Sequence, residues 1–233
     1  MLVATLAVCT GAPSHGAAGG SRPLPVFELA DGVYAVPGDS GRGSEGRPNA
    51  GFVVGTDGVL AIDALASPAQ GAQLLAAIRA VTPLPIRQLL ITHHHPDHHF
   101  GAVVFRREGA RVLAHPDRAT AVGEAGDSAL AETWTAVVGA GEMRGFEFAN
   151  RPDVPIRSDT VLQLGGRAVH VLHLGPAHTP GDLVIWLPAE GVLFAGDLLI
   201  EDGVTMVVDG DSEVLLGALD VMQGLGARVV VPG

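Results

Sequence analysis

Thr92-His93-His94-His95-Pro96-Asp97-His98 is the stretch that decides how this chain is read. Five of the ten histidines lie between 93 and 99. His93 and His95 are two residues apart, so in a loop after a strand both can turn toward one ion. Asp97 and His98 follow at a spacing that serves a neighbouring ion. Imidazole and carboxylate together suit a borderline cation such as Zn²⁺. The preceding Ile86 to Thr92 is apolar, the kind of rigid strand that can hold ligands in place. Two later segments carry the same kind of residue at strand ends: His178 within Gly175-Pro-Ala-His-Thr-Pro-Gly-Asp182, and Asp197 after Val192-Leu-Phe-Ala-Gly. The expectation is three strand ends offering ligands along one sheet edge. The competing reading is a histidine-rich surface tract or tag. A tag would be terminal and would lack the Pro-Asp interruption.

Outward from the cluster, turn chemistry and periodicity place the elements. Val26 to Val36 surrounds an Asp31-Gly32 turn, and Gly51 to Asp63 surrounds Thr56-Asp57-Gly58, both hairpin signals. Ser67 is a candidate N-cap, with Pro68 as first helical residue and Leu74, Leu75 and Ile78 as the apolar face, ending near Thr82-Pro83. Residues 111–114 form a short strand. A helical stretch is expected over 129–138. Hairpins are expected over 159–174 and 182–195, then a helix from Ser212 and a final strand over 228–231. Gly58-Val-Leu-Ala-Ile-Asp63 and Gly191-Val-Leu-Phe-Ala-Gly-Asp197 echo one another. The order suits mixed sheets with helices outside.

Composition narrows the chemistry. The 233 residues suffice for one domain with a sizeable core. All 14 positive side chains are arginines, so no lysine nucleophile or Schiff base exists. The single cysteine, Cys9, forms no internal disulfide, and there is no G-x-S-x-G turn. A net charge of −11 argues against a nucleic-acid partner. No stretch approaches the length of a membrane span. Residues 1–20, short and apolar to Cys9 and then Gly/Ala-rich, read as a signal-like leader without the usual positive start. They point to a periplasmic or secreted protein, with a cytoplasmic location as the alternative. Residues 21–233 form the remaining domain.

Thr92 to His98 resembles the H-x-H-x-D-H signature of the metallo-β-lactamase superfamily. His178-Thr-Pro-Gly-Asp182 is similar to its next ligand block, and Phe194-Ala-Gly-Asp197 to its bridging-carboxylate block. The resemblance runs in the family's order over roughly residues 26–233. It implies an α/β fold, the four-layer αβ/βα sandwich. It implies a first metal site of His93, His95 and His178, and a second of Asp97 and His98, with Asp197 bridging. Two zinc ions would then serve a hydrolase. A zinc-bound water, its pKa lowered toward about 7, would attack the carbonyl of a small-molecule substrate. Asp97 would orient the nucleophile. The alternative for Asp97 is a hydrogen bond to a ligating histidine, and for His98 a solvent-facing loop position. His94 is read as a packing or supporting residue, His99 as the start of the following helix, His115 as a turn residue, and His170 and His173 as hydrogen-bonded sheet residues. Asp63 is either a supporting acceptor or an ordinary strand-end residue. Trp134, Met143, Phe146 and Phe148 are read as core before cleft.

One family histidine, in a context like Pro-Gly-His-Gly, would follow Pro232-Gly233. The expectation is a truncated chain with an incomplete second site. Asp197 stands where the best-known β-lactamases of the family have cysteine, and Ile200 where they often have lysine. This favours esters, thioesters and lactones over β-lactams. Val33 to Gly38 and Asn49 to Phe52 also resemble exported relatives associated with sulfur oxidation and quinoprotein systems. A mononuclear-iron sulfur dioxygenase and a non-catalytic partner-binding relative are the rival readings. Loops 37–48 and 117–150 are expected to supply substrate contacts.

Overall fold

The computed structural model describes residues 23–39, 47–116, 124–148, 151–201 and 203–233. The leader-like segment 1–20 and parts of both expected substrate loops lie outside the described residues. Seven strands form one mixed sheet in sequential order: β1 (Phe27–Ala30), β2 (Val33–Val36), β3 (Ala50–Val54), β4 (Val59–Ile62), β5 (Ile86–Leu90), β6 (Arg111–Ala114) and β7 (Val154–Pro155). The second sheet runs β12-β11-β10-β9-β8, from β8 (Thr160–Leu164), β9 (Arg167–His173), β10 (Leu183–Leu187), β11 (Val192–Gly196) and β12 (Val229–Pro232). The helices are α1 (Pro68–Val81), α2 (Pro96–His99), α3 (Ala102–Arg107), α4 (Glu124–Val138) and α5 (Ser212–Gly224).

Three apolar clusters show how these elements stack. Leu60, Ile62 and Leu90 of the first sheet meet Val169, Ile185 and Phe194 of the second, forming the core between sheets. Val59, Ala61 and Leu89 face the other way, against Leu74 and Ile78 of α1 and Phe105 of α3. Val184, Trp186 and Leu193 face outward against Ala218 and Met222 of α5. The layers are therefore helix, sheet, sheet, helix. Strands covered on both faces must be apolar at every position, which is why Val59-Leu-Ala-Ile62 and Leu183-Val-Ile-Trp-Leu187 show no polar alternation. Each fully buried Leu or Ile contributes about 1.5–3 kcal/mol.

Local chemistry fixes the element ends. Ser67 caps α1 by accepting from Gln70 N at 3.0 Å, Pro68 occupies the first turn, and the helix stops before Thr82. Asp211 caps α5 by accepting from Glu213 N and Val214 N. The sequence reading begins a helix near His99, where the structure has two short ones, α2 ending at His99 and α3 starting at Ala102. It also begins α4 late, because Gly126, Asp127 and Ser128 are weak helix formers.

The echo between halves extends further than two matching strands. β3 and β4 pair antiparallel, α1 crosses over, and β5 lies parallel to β4. β10 and β11 pair antiparallel, α5 crosses over, and β12 lies parallel to β11. Asp63 follows β4 and Asp197 follows β11. At this end Leu183 N donates to Thr92 O at 2.9 Å, joining the two sheets.

Candidate metal centre

Pro96 starts α2 directly after His95, which turns the chain so that His93 and His95 precede the helix while Asp97 and His98 lie in its first turn. His93, His95 and His178 bring their rings together, with centroids 4.6–4.9 Å apart and planes nearly perpendicular. One ligand atom from each of these and from Asp197 lies within 4.8 Å of the others. His98 completes the group, its ring 4.2 Å from that of His93 and its Nε2 3.0 Å from Asp197 Oδ1. Asp97 is more open, 3.7 Å from His98 Nε2. The expectation of a single sheet edge is corrected here. His93 and His95 follow β5 of the first sheet, whereas His178 lies between β9 and β10, and Asp197 follows β11, of the second. The cluster straddles the end of the sandwich because both sheets end there.

The hydrogen bonds around the cluster set each imidazole's tautomer. His178 Nδ1 meets the Met206 carbonyl at 2.5 Å, and a carbonyl only accepts, so Nδ1 carries the proton. His98 Nδ1 donates to Asp63 Oδ2 at 2.8 Å. Thr92 Oγ1 gives its proton to Asp63 Oδ2, so it accepts from His93 Nδ1 at 3.1 Å. His95 Nε2 donates to Asp209 Oδ2 at 3.3 Å. The remaining nitrogens, Nε2 of His93, His98 and His178 and Nδ1 of His95, turn their lone pairs inward. His95 Nδ1 and His178 Nε2 are only 3.0 Å apart. His93 Nε2 is buried with no hydrogen-bond partner, and the buried His98 Nε2 and Asp197 Oδ1 face each other at 3.0 Å. Converging lone pairs without donors fit a cation, and a nitrogen-oxygen set of this kind fits zinc.

Charge reinforces the picture. Burial, and then the neighbouring histidines, push His93 well below its ordinary pKa. Burial also works against charge on His98, but Asp197, Asp97 and Asp63 outweigh it and raise that pKa. Asp197 is held below the usual carboxylate range, because His98, His178 and His95 overcome its burial.

Three carboxylates hold the site: Asp63, for which a supporting acceptor is one of the two sequence readings, and Asp182 and Asp209, to which the sequence assigns no such role. Asp63 is buried at φ +59° and anchors Thr92 N, Thr92 Oγ1 and His98 Nδ1 at once. Asp182 accepts from the backbone of Ala177, His178 and Thr179 at 2.8–3.0 Å, and from Thr179 Oγ1 at 2.6 Å. An Asp four residues after the histidine was its only sequence signal. Asp209 had none beyond its Asp-Gly-Asp context. The other histidines sit aside. His99 Nε2 meets the His94 carbonyl at 3.0 Å, and His115 stacks on His173 at 4.3 Å. His94 Nε2 lies 3.9 Å from Asp209. Trp134 donates to Ala66 O at 2.9 Å, Met143 is buried, and Phe146 packs between Phe100 and Phe148.

The metallo-beta-lactamase superfamily model matches residues 43–233. A hydroxyacylglutathione hydrolase of Synechococcus sp. (strain JA-3-3Ab) is 31% identical over 134 residues, 58% of this chain and 43% of that one. The matched stretch is thus less than half of that relative's length. A probable metallo-hydrolase of Bacillus subtilis (strain 168), YqgX, is 28% identical over 180 residues, covering 74% of this chain and 77% of its own. Among solved structures, a metallo-beta-lactamase from Pontibacter korlensis superposes with a TM-score of 0.69 at 22% identity, covering 90% of each chain. That last likeness is one of fold.

Proposed function

This chain belongs to the metallo-beta-lactamase superfamily, and on that premise we propose that it is a zinc-dependent hydrolase of small-molecule esters, thioesters, lactones or lactams. The observation that carries the reading is the convergence of three imidazoles, His93, His95 and His178, with the Asp197 carboxylate within 4.8 Å of one another, and His98 beside Asp197 at 3.0 Å. His93, His95 and His178 form the proposed first site, Asp97 and His98 the second, with Asp197 between them. Zinc bound there would polarise the scissile carbonyl and lower the pKa of water. The chain's own groups do the rest. Asp63, Thr92, Met206 and Asp209 hold the rings in one tautomer and one orientation. Asp97, partly exposed beside His98, can orient the attacking water and move a proton toward the leaving group. Likeness to a hydroxyacylglutathione hydrolase supports thioesters. Ile200 and the absence of lysine leave no ammonium to grip a β-lactam carboxylate. Residues 1–20 support export, which cell fractionation tests.

The experiment is a panel of thioesters, lactones and β-lactams offered to zinc-loaded protein, with metal analysis of the protein as purified. Turnover of an ester-type substrate that His93→Ala and His178→Ala each abolish is expected. Stoichiometric iron with no hydrolysis of any panel member would replace this reading by the redox one.

A further inference from the structure

Asn49 ties the two sheets together beside the proposed bridging carboxylate. It is half-buried immediately before β3, and both ends of its carboxamide are used. Oδ1 accepts from Gly38 N at 2.8 Å, where the chain leaves β2. Nδ2 donates to Pro232 O at 3.1 Å and to Gly233 O at 3.4 Å, at the end of β12 and 183 and 184 positions away. A carboxylate or an aliphatic side chain cannot make this set, because one end faces an N–H and the other faces carbonyls. β12 is four residues long with one buried position, so its own packing fixes its end only weakly. Gly233 in turn lies on Asp197. Its N–H donates to Leu199 O at 3.1 Å, and Leu199 N closes the turn around Asp197 onto Gly196 O at 3.3 Å. A Cβ at position 233 would stand 1.9 Å from Asp197 Oδ1 and 2.8 Å from Asp197 N. The carboxylate therefore rests against backbone that Asn49 holds.

We propose that Asn49 is a positioning residue of the metal centre: by holding Pro232 and Gly233 it sets the place of the Asp197 carboxylate, and with it the affinity for the second of the two ions. The inference rests on the two-ion reading above and adds to it a residue outside the ligand set. The first site has His93, His95 and His178 besides Asp197, so a displaced carboxylate leaves three imidazoles in place. The second has only Asp97 and His98 besides it, and suffers more from the same displacement. Loss of a hydrogen bond that supports a ligand costs about 10- to 100-fold in metal affinity.

The test uses Asn49→Asp in the full chain. The isosteric carboxylate keeps the bond from Gly38 N but turns an acceptor toward the two carbonyls. Zinc titration against a chromophoric chelator should show one ion weakened by about 10- to 100-fold and the other held as in the parent. Gly233→Ala pushes the same carboxylate without touching Asn49 and without adding charge. It should weaken the same ion, and it is the second variant if Asn49→Asp folds poorly. Cobalt in place of zinc gives a spectroscopic check: in both variants the absorption of one ion should change while that of the other stays. Two ions bound as tightly as in the parent overturn the proposal. Two ions weakened alike also overturn it, since a general loss of structure does not single out one site. If the parent chain holds fewer than two ions, the two-ion reading fails by itself. Amide hydrogen exchange in the metal-free chain then decides the clamp. In Asn49→Ala the Leu199 and Gly233 N–H groups should exchange about tenfold faster or more, and unchanged exchange overturns the proposal.

Discussion

Asp209 Oδ2 stands 3.3 Å from Nε2 of His95, whose other nitrogen faces His178 across 3.0 Å. A half-exposed carboxylate 114 residues away in sequence thus determines which nitrogen of His95 is free for a metal. Asp209→Ala should weaken zinc binding by about 10- to 100-fold. Being half-exposed, the same side chain should leave the metal-free protein's melting temperature almost unmoved. Competition with a chromophoric chelator measures the first, and scanning calorimetry the second. Unchanged affinity would remove Asp209 from the site.

Asp63 tests whether one residue can hold both the loop and the ligand. It is buried, adopts φ +59°, and makes three hydrogen bonds. Alanine tolerates that backbone poorly and leaves Thr92 N unpartnered. Asp63→Ala should cost about 2–4 kcal/mol in urea unfolding. Asp63→Asn keeps an acceptor and suits the backbone, so it should cost about half as much. Equal costs for the two would show that the hydrogen bonds contribute little.

Asp182 makes a parallel prediction for the other sheet. Its carboxylate gathers three successive N–H groups and the Thr179 hydroxyl. Asp182→Ala strands these buried donors and should lower stability by about 3 kcal/mol. Zinc affinity should drop with it, because His178 sits in the released turn. Loss of affinity without loss of stability would contradict the structural role.

Gly51 probes the contact between sheets. A Cβ there would lie 2.3 Å from Cε1 of Phe194 and 2.9 Å from Tyr34 O. Gly51→Ala should therefore destabilise by about 1–3 kcal/mol through overpacking. Gly51→Ala combined with Phe194→Leu should recover part of that loss. A single variant as stable as the parent would place Phe194 elsewhere.

Asp153 gives a pH dependence away from the metals. Burial opposes its charge, but the Val112 N–H at 2.7 Å and Arg106 at 3.0 Å outweigh it and hold its pKa below the ordinary value. A depressed folded pKa stabilises above the unfolded value and loses that contribution as pH falls through the folded one. Asp153→Asn should cost about 1 kcal/mol at neutral pH, the exposed ion pair adding little. The difference between wild type and variant should vanish in acid. A difference that persists to the lowest pH would mean packing, not charge.

Much of the fold was legible beforehand because its signals are local. Asp31-Gly32, Thr56-Asp57-Gly58 and Gly165-Gly166 mark hairpin turns where the structure has them. Ser67-Pro68 opens α1 as capping requires. The bounds of α2 and α3 were not legible beyond a helix start near His99, since six residues or fewer carry too little period to fix them. The second sheet's share of the metal centre was hidden for another reason. Strand ends look alike in sequence whichever sheet they belong to.

The sequence by itself determined the candidate donors: imidazoles and carboxylates at three strand ends. Residue type and short-range spacing suffice for that. Only the tertiary structure decided which atoms of those donors point inward. Asp63 reaches Thr92 and His98, Met206 reaches His178, and Asp209 reaches His95, across 28 to 114 positions of chain. A hydrogen bond that fixes a tautomer depends on distance in space. Two packed sheets create that proximity, and no local pattern in the chain encodes it.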